Sequence, residues 1–163
     1  MTYAAFSGFQ HLASGSLAEA HAACAGCPGA LIYDEQTGKV VDIDPRHPPE
    51  DTAPGPGRPK LGVVAREVTL LPRHWDWLNA QPGGASVALR RLVEEARKRP
   101  GALVPVLRNA AFRFATAIVG DAPGYEEAMR ALFAGQREDF LAHIENWPGD
   151  VRAQLEKMTA EAF

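Results

Sequence analysis

Between Pro45 and Pro59 the chain carries six prolines (Pro45, Pro48, Pro49, Pro54, Pro56 and Pro59) together with Gly55 and Gly57, and almost no apolar side chain. Each proline fixes φ and removes a backbone donor, so neither a helix nor a central strand can run through the stretch. Without apolar groups to offset the entropy of ordering, it is predicted to be an extended linker. It divides the 163 residues into a small segment, 1–44, and a larger one, 60–163.

The small segment reads as ββαββ. Tyr3–Phe6 and Gln10–Ala13 are short apolar runs around Gly8, which suits a turn. Ser16-Leu17-Ala18-Glu19 has the spacing of a capping box and starts a helix that runs from Leu17 to about Cys24. Ala30–Asp34 and Lys39–Asp44 flank Gln36-Thr37-Gly38 as a hairpin. Alternation of Val41 and Ile43 with Asp42 and Asp44 predicts a sheet with one wet face.

Hydrophobic residues make up 46 % of the chain and charged residues 23 %, enough apolar material for a core. No apolar run is long enough to span a bilayer, and no basic segment precedes an apolar one at the N-terminus, so a cytoplasmic protein is expected. The charge is unevenly spread. Residues 57–100 hold nine Lys/Arg against four acids, residues 1–56 two against seven, and residues 101–163 six against nine. A basic island between acidic flanks suits an anionic partner; a solvated helix face rich in arginine has the same composition.

That island is also the most patterned part of the chain. Glu67-Val68-Thr69-Leu70-Leu71 reads as a strand, Pro72 opens a helix bearing Trp75 and Leu78, and Gly83-Gly84 permits a turn. In a second helix Ala85, Ala88, Leu89, Leu92, Val93 and Ala96 form one stripe, with Arg90, Arg91, Glu94, Arg97 and Lys98 off it. Four helices follow, marked by Leu107 to Ile118, by Tyr125, Met129, Leu132 and Phe133, by Phe140 to Ile144, and by Val151 to Ala160. The fold class is therefore α+β. The single strand has no partner of its own, and pairing with a second copy is the simple solution, so a homodimer is expected.

Strand, Leu71-Pro72, helix, Gly turn, Ser86 and second helix together resemble the ribbon-helix-helix fold. The resemblance implies a dimer whose two-stranded ribbon enters the major groove of double-stranded DNA. Carried over, Arg66 and Thr69 would face the bases, the amides of Gly84, Ala85 and Ser86 would hold a phosphate, and Arg58 and Lys60 would add backbone contacts. Glu67 departs from the pattern, because an acid turned toward DNA is repelled by phosphate. Over a longer span, Gly57-Arg58-Pro59-Lys60-Leu61-Gly62-Val63, Leu70-Leu71-Pro72-Arg73-His74-Trp75-Asp76-Trp77-Leu78, Ala131–Gly135 and Trp147–Val151 resemble a bacterial family labelled domain of unknown function 2239. That resemblance implies a bacterial origin and no particular activity.

Other candidate chemistry is thin. His21, Cys24 and Cys27 offer three soft ligands, but a structural zinc site takes four, and the pair closes a helix where a redox pair would open one. Ser86 lacks a nucleophile elbow, and Gly83-Gly84 is too short to cradle phosphates as a P-loop does. The sequence thus predicts a DNA-binding regulator with no cofactor, no metal and no catalytic residues. A non-enzymatic adaptor dimer is the alternative, and an enzyme with an interdomain site is a further one.

Overall fold

Four strands and one helix occupy the first 42 residues: β1 (Tyr3–Ser7), β2 (Gln10–Gly15), α1 (Leu17–Ala23), β3 (Leu31–Asp34) and β4 (Val40–Val41). The computed structural model describes residues 2–42 and 66–163, so the predicted linker at 45–59 lies outside the described residues. Six further helices follow: α2 (Pro72–Asn79), α3 (Gly84–Arg97), α4 (Val104–Val119), α5 (Tyr125–Ala134), α6 (Arg137–Ile144) and α7 (Gly149–Met158). The α+β class and the ββαββ order agree with the sequence reading.

The sheet is antiparallel throughout, in the order β2-β1-β3-β4. Its hairpins have local causes. Asp34 Oδ1 accepts from the amides of Gln36 (2.8 Å) and Thr37 (3.3 Å), which bends the chain after β3. Gly38 completes the turn at φ +67°, and a Cβ there would collide with the carbonyl oxygen of Ala110 on α4. The capping box of α1 is formed: Glu19 N donates to Ser16 Oγ (3.3 Å) and Ser16 N to Glu19 Oε2 (2.7 Å). Hydrogen bonding to the carboxyl by the Ser16 backbone first, and then by its side chain, holds Glu19 below its usual range.

Both faces of the sheet are covered at its centre, unlike the one-wet-face expectation. Ala4, Phe6 and Tyr33 join the core built by α4–α7, around Phe114, Leu132, Phe140, Ile144, Val151 and Leu155. Ala5 and Ile32 face the other way and pack with Ala20, Leu12, Leu17 and Cys24 on the α1 side. Of the alternation that suggested a wet face, Val41 lies in the edge strand β4 and Asp42 is exposed just after it, while Ile43 and Asp44 lie outside the described residues. Phe6, Tyr33 and Phe114 meet edge to face, with ring centroids 5.2–6.2 Å apart. The Tyr33 hydroxyl within this cluster is buried and has no hydrogen-bond partner among the described residues, and burial pushes its pKa up to about 12.

The chain divides into two compact units, Met1–Asp51 with Leu103–Phe163, and Thr52–Ala102. The sequence reading grouped residues 60–163 together; in the structure the sheet shares its core with α4–α7 instead. Periodicity assigns each helix an apolar face without saying which surface covers it. The phase of two stripes also differs from expectation: Ala117 and Phe133 are exposed, while Ala115, Val119, Ala128 and Ala131 are buried.

Candidate nucleic-acid interface

Residues 66–71 form no strand. In the single chain the expected strand is an extended segment with no ladder partner among the described residues, in which Arg66 to Thr69 and Leu71 are exposed. The physical reason is that β structure needs a ladder partner, and neighbouring residues within this unit fold into helices instead. Leu71 itself is extended (φ −66°, ψ 148°) and is followed by Pro72 at the first helical position of α2, as the sequence predicts. Its carbonyl accepts from His74 N at 2.8 Å, closing the first turn.

α2 and α3 form a helical hairpin. Gly83 and Gly84 both take left-handed backbone (φ +83° and +75°), and a Cβ on Gly83 would press on the Val87 side chain, so the turn needs glycine there. Gly84 N donates to Gln81 O (2.9 Å), which occupies one amide of the predicted phosphate clamp. The amides of Ala85 and Ser86 find no backbone acceptor among the described residues, and no acid lies in the first turn of α3. The end of the helix dipole is thus open toward an anion. Ala85 is half-buried and Ser86 exposed; the Ser86 carbonyl accepts from Arg90 Nε at 3.0 Å.

Of the other predicted contacts, Arg66 and Thr69 are exposed, and Arg58 and Lys60 lie outside the described residues. Arg91 and Arg97 are engaged by Glu95 (3.7 Å) and Glu94 (3.1 Å). Among the described residues no ion pair engages Arg66, Arg73, Arg90, Lys98 or Arg99, so their charge is available.

The apolar residues of this unit are mostly uncovered. Leu78 and Ala88 are buried, whereas Val68, Leu71, Trp77, Val87, Leu92 and Val93 are between 38 % and 55 % exposed. Among the described residues of this unit, two buried hydrophobic side chains are few for a hairpin of this length, since most helical stability comes from tertiary packing of the apolar face.

The family model described as an uncharacterized protein conserved in bacteria, DUF2239, matches residues 2–159. The chain belongs to the DUF2239 family. No curated protein and no solved structure matches it. The match to DUF2239 takes in the sheet unit and the hairpin alike, so both belong to the family's common pattern.

Elsewhere in this DUF2239 chain, Cys24 and Cys27 are free thiols lining a cleft with His21. Burial, and then the neighbouring Cys27, push the Cys24 thiol up, which disfavours the reactive thiolate. Among the described residues no group of three His, Cys, Asp or Glu side chains is placed to hold a metal ion. No described helix is long and apolar enough to cross a membrane.

Proposed function

We propose that this protein is a DNA-binding regulator that dimerises through the segment before α2 and the apolar face of α3, so that two copies of residues 66–71 pair as a ribbon. The observation that carries this reading is the uncovered set Val68, Leu71, Val87, Leu92 and Val93, in a unit with only two buried hydrophobic residues among those described. A second copy supplies both missing things at once: a ladder partner for the extended segment and an apolar surface for α3. The basic side chains Arg66, Arg73 and Arg90 then lie on a dimer of doubled charge, with the Ala85 and Ser86 amides as phosphate donors.

Salt dependence tests the reading. Anisotropy titrations with random duplex DNA are expected to show log K falling linearly with log salt, and Arg66→Ala to make that slope shallower by about one. Failure to bind duplex DNA at low salt, by a chain that sediments as a dimer, would leave the adaptor role in its place. Glu67 specifically favours that second reading, because it is exposed beside Arg66 and repels phosphate.

A further inference from the structure

Alternation along a strand puts residues three apart on opposite faces. His11 and Ser14 escape that rule. Ala5 pairs with Ala13 but Phe6 pairs with His11, so Leu12 is the extra residue of a β-bulge in β2. Ser14 and His11 therefore sit opposite Ala4 and Phe6, on the sheet face that belongs to the helical core. The His11 amide there donates to Asp150 Oδ2 on α7 (2.9 Å).

On that face His11 Nε2 lies 2.8 Å from Ser14 Oγ. The Phe6 ring meets the imidazole edge to face at 5.2 Å and fixes its plane. Ser14 Oγ has a second neighbour, Glu35 Oε1, at 3.4 Å. That is long for an O–H···O bond, which centres on about 2.7–2.8 Å. The same carboxylate oxygen already accepts from Lys157 Nζ (2.6 Å) and Gln154 Nε2 (3.1 Å). Ser14 Oγ can donate to Glu35 at the longer distance or to His11 at the shorter one, and in the tautomer that carries its proton on Nδ1 the imidazole Nε2 is the acceptor, while Glu35 holds two α7 donors nearby. His11, Ser14, Asp150, Gln154 and Lys157 line one cavity of about 240 Å³.

We infer that Ser14 is an acyl-accepting nucleophile with His11 as its general base, acting on esters of short carboxylic acids. Ser14 Oγ attacks the ester carbonyl carbon as His11 Nε2 takes the hydroxyl proton. The carbon–oxygen bond to the leaving alcohol breaks, and the alcohol departs with the proton from His11. Water then attacks the acyl-serine, again losing a proton to His11; the acid is released and Ser14 regains its proton. The Lys157 ammonium and Gln154 amide are the cavity's donors for the carbonyl oxygen as it gains charge. The depression is small and open to solvent, with room of about 240 Å³, which suits a short acyl group. The exposure of Ser14 supplies access. The site lies wholly within the sheet unit and is independent of the DNA-binding reading.

The test incubates the full chain with p-nitrophenyl acetate and, separately, p-nitrophenyl octanoate, follows release by absorbance, and locates the acyl group by peptide mass spectrometry. The expected result is acetyl on Ser14, with release about 100-fold or more above Ser14→Ala and His11→Gln, and slow release from the octanoate. Circular dichroism melts establish that both variants are folded. Ser14→Cys supplies the second arm, since correct geometry makes it accumulate an acetyl thioester. Acetylation confined to lysines, release unchanged in Ser14→Ala, or an introduced thiol that stays free in Ser14→Cys would each overturn the proposal. Equal rates on acetate and octanoate would overturn the substrate class.

Discussion

Lys157 Nζ sits 2.6 Å from Glu35 Oε1, an ion pair that ties α7 to the β3–β4 turn across 122 residues of chain. Glu35 is the less exposed partner, with 11 % of its side chain accessible against 55 % for Lys157, and it also accepts from Gln154. Losing the carboxylate therefore removes more than losing the lysine. Glu35→Ala is expected to destabilise by about 1–2 kcal/mol and Lys157→Ala by under about 1 kcal/mol, because an exposed ammonium is well solvated in either state. Urea unfolding should show a lowered midpoint with an unchanged slope in both variants; equal losses would mean that the pair acts only as a pair.

Gly38 combines left-handed backbone with contact against α4. Gly38→Ala must relieve both the φ of +67° and the collision of the new methyl group with the Ala110 carbonyl. The expected loss is about 2–4 kcal/mol, read as a fall in melting temperature. Gly26, also at positive φ but with open space around its Cβ direction, should lose only the backbone part, about 1–2 kcal/mol.

Tyr33 makes stability fall in alkali. Its folded pKa of about 12 stands above the ordinary value of 10.0, so the folded chain keeps a proton that the unfolded chain releases. The contribution is whole below pH about 10 and is lost as pH rises to about 12, a loss on the order of 2 kcal/mol. Tyr33→Phe should abolish that part of the pH dependence. At neutral pH it should stabilise by about 1 kcal/mol, because the hydroxyl it removes is buried without a partner among the described residues. Denaturant midpoints at pH 8 and pH 11 for both proteins decide this.

Charging the exposed face of α3 should separate the proposed protomers. Leu92→Asp and Val93→Asp are expected to raise the dimer dissociation constant at least about tenfold, as burial of an unpaired carboxylate requires, and to weaken DNA binding in parallel. Sedimentation at several concentrations checks the first effect and anisotropy the second. A chain that stays dimeric with both substitutions would place its interface elsewhere.

Local chemistry made much of the fold legible. The Ser16–Glu19 capping box, the turn at Gly38 and the stop-and-start at Gly83-Gly84 all act over a few residues, and each is written in residue types. What covers each face was not legible. Phe6 and Tyr33 look alike on paper whether α1 or α4 packs on them, because burial is settled by elements far along the chain. The segment before α2 misled because β-branching at Val68 and Thr69 favours a strand only where a ladder partner exists. Ser14 and His11 were invisible as a pair for a third reason: their spacing implies opposite faces, and nothing in Gln10–Gly15 announces the bulge at Leu12.

The route of the chain through its own core has a consequence for synthesis. Phe6 and Tyr33 emerge among the first 33 residues, but Phe114, Val151 and Leu155, which share their core, come from the last third. A ribosome making this protein therefore extrudes the N-terminal sheet with one apolar face bare. That face stays bare for the time needed to add roughly a hundred residues, several seconds at about 5–20 residues per second. The basic segment and its glycine turn are translated during that wait. Nascent chains stalled near residue 100 should accordingly recruit chaperones that hold apolar surface, and those stalled beyond Met158 with the whole chain outside the exit tunnel should not.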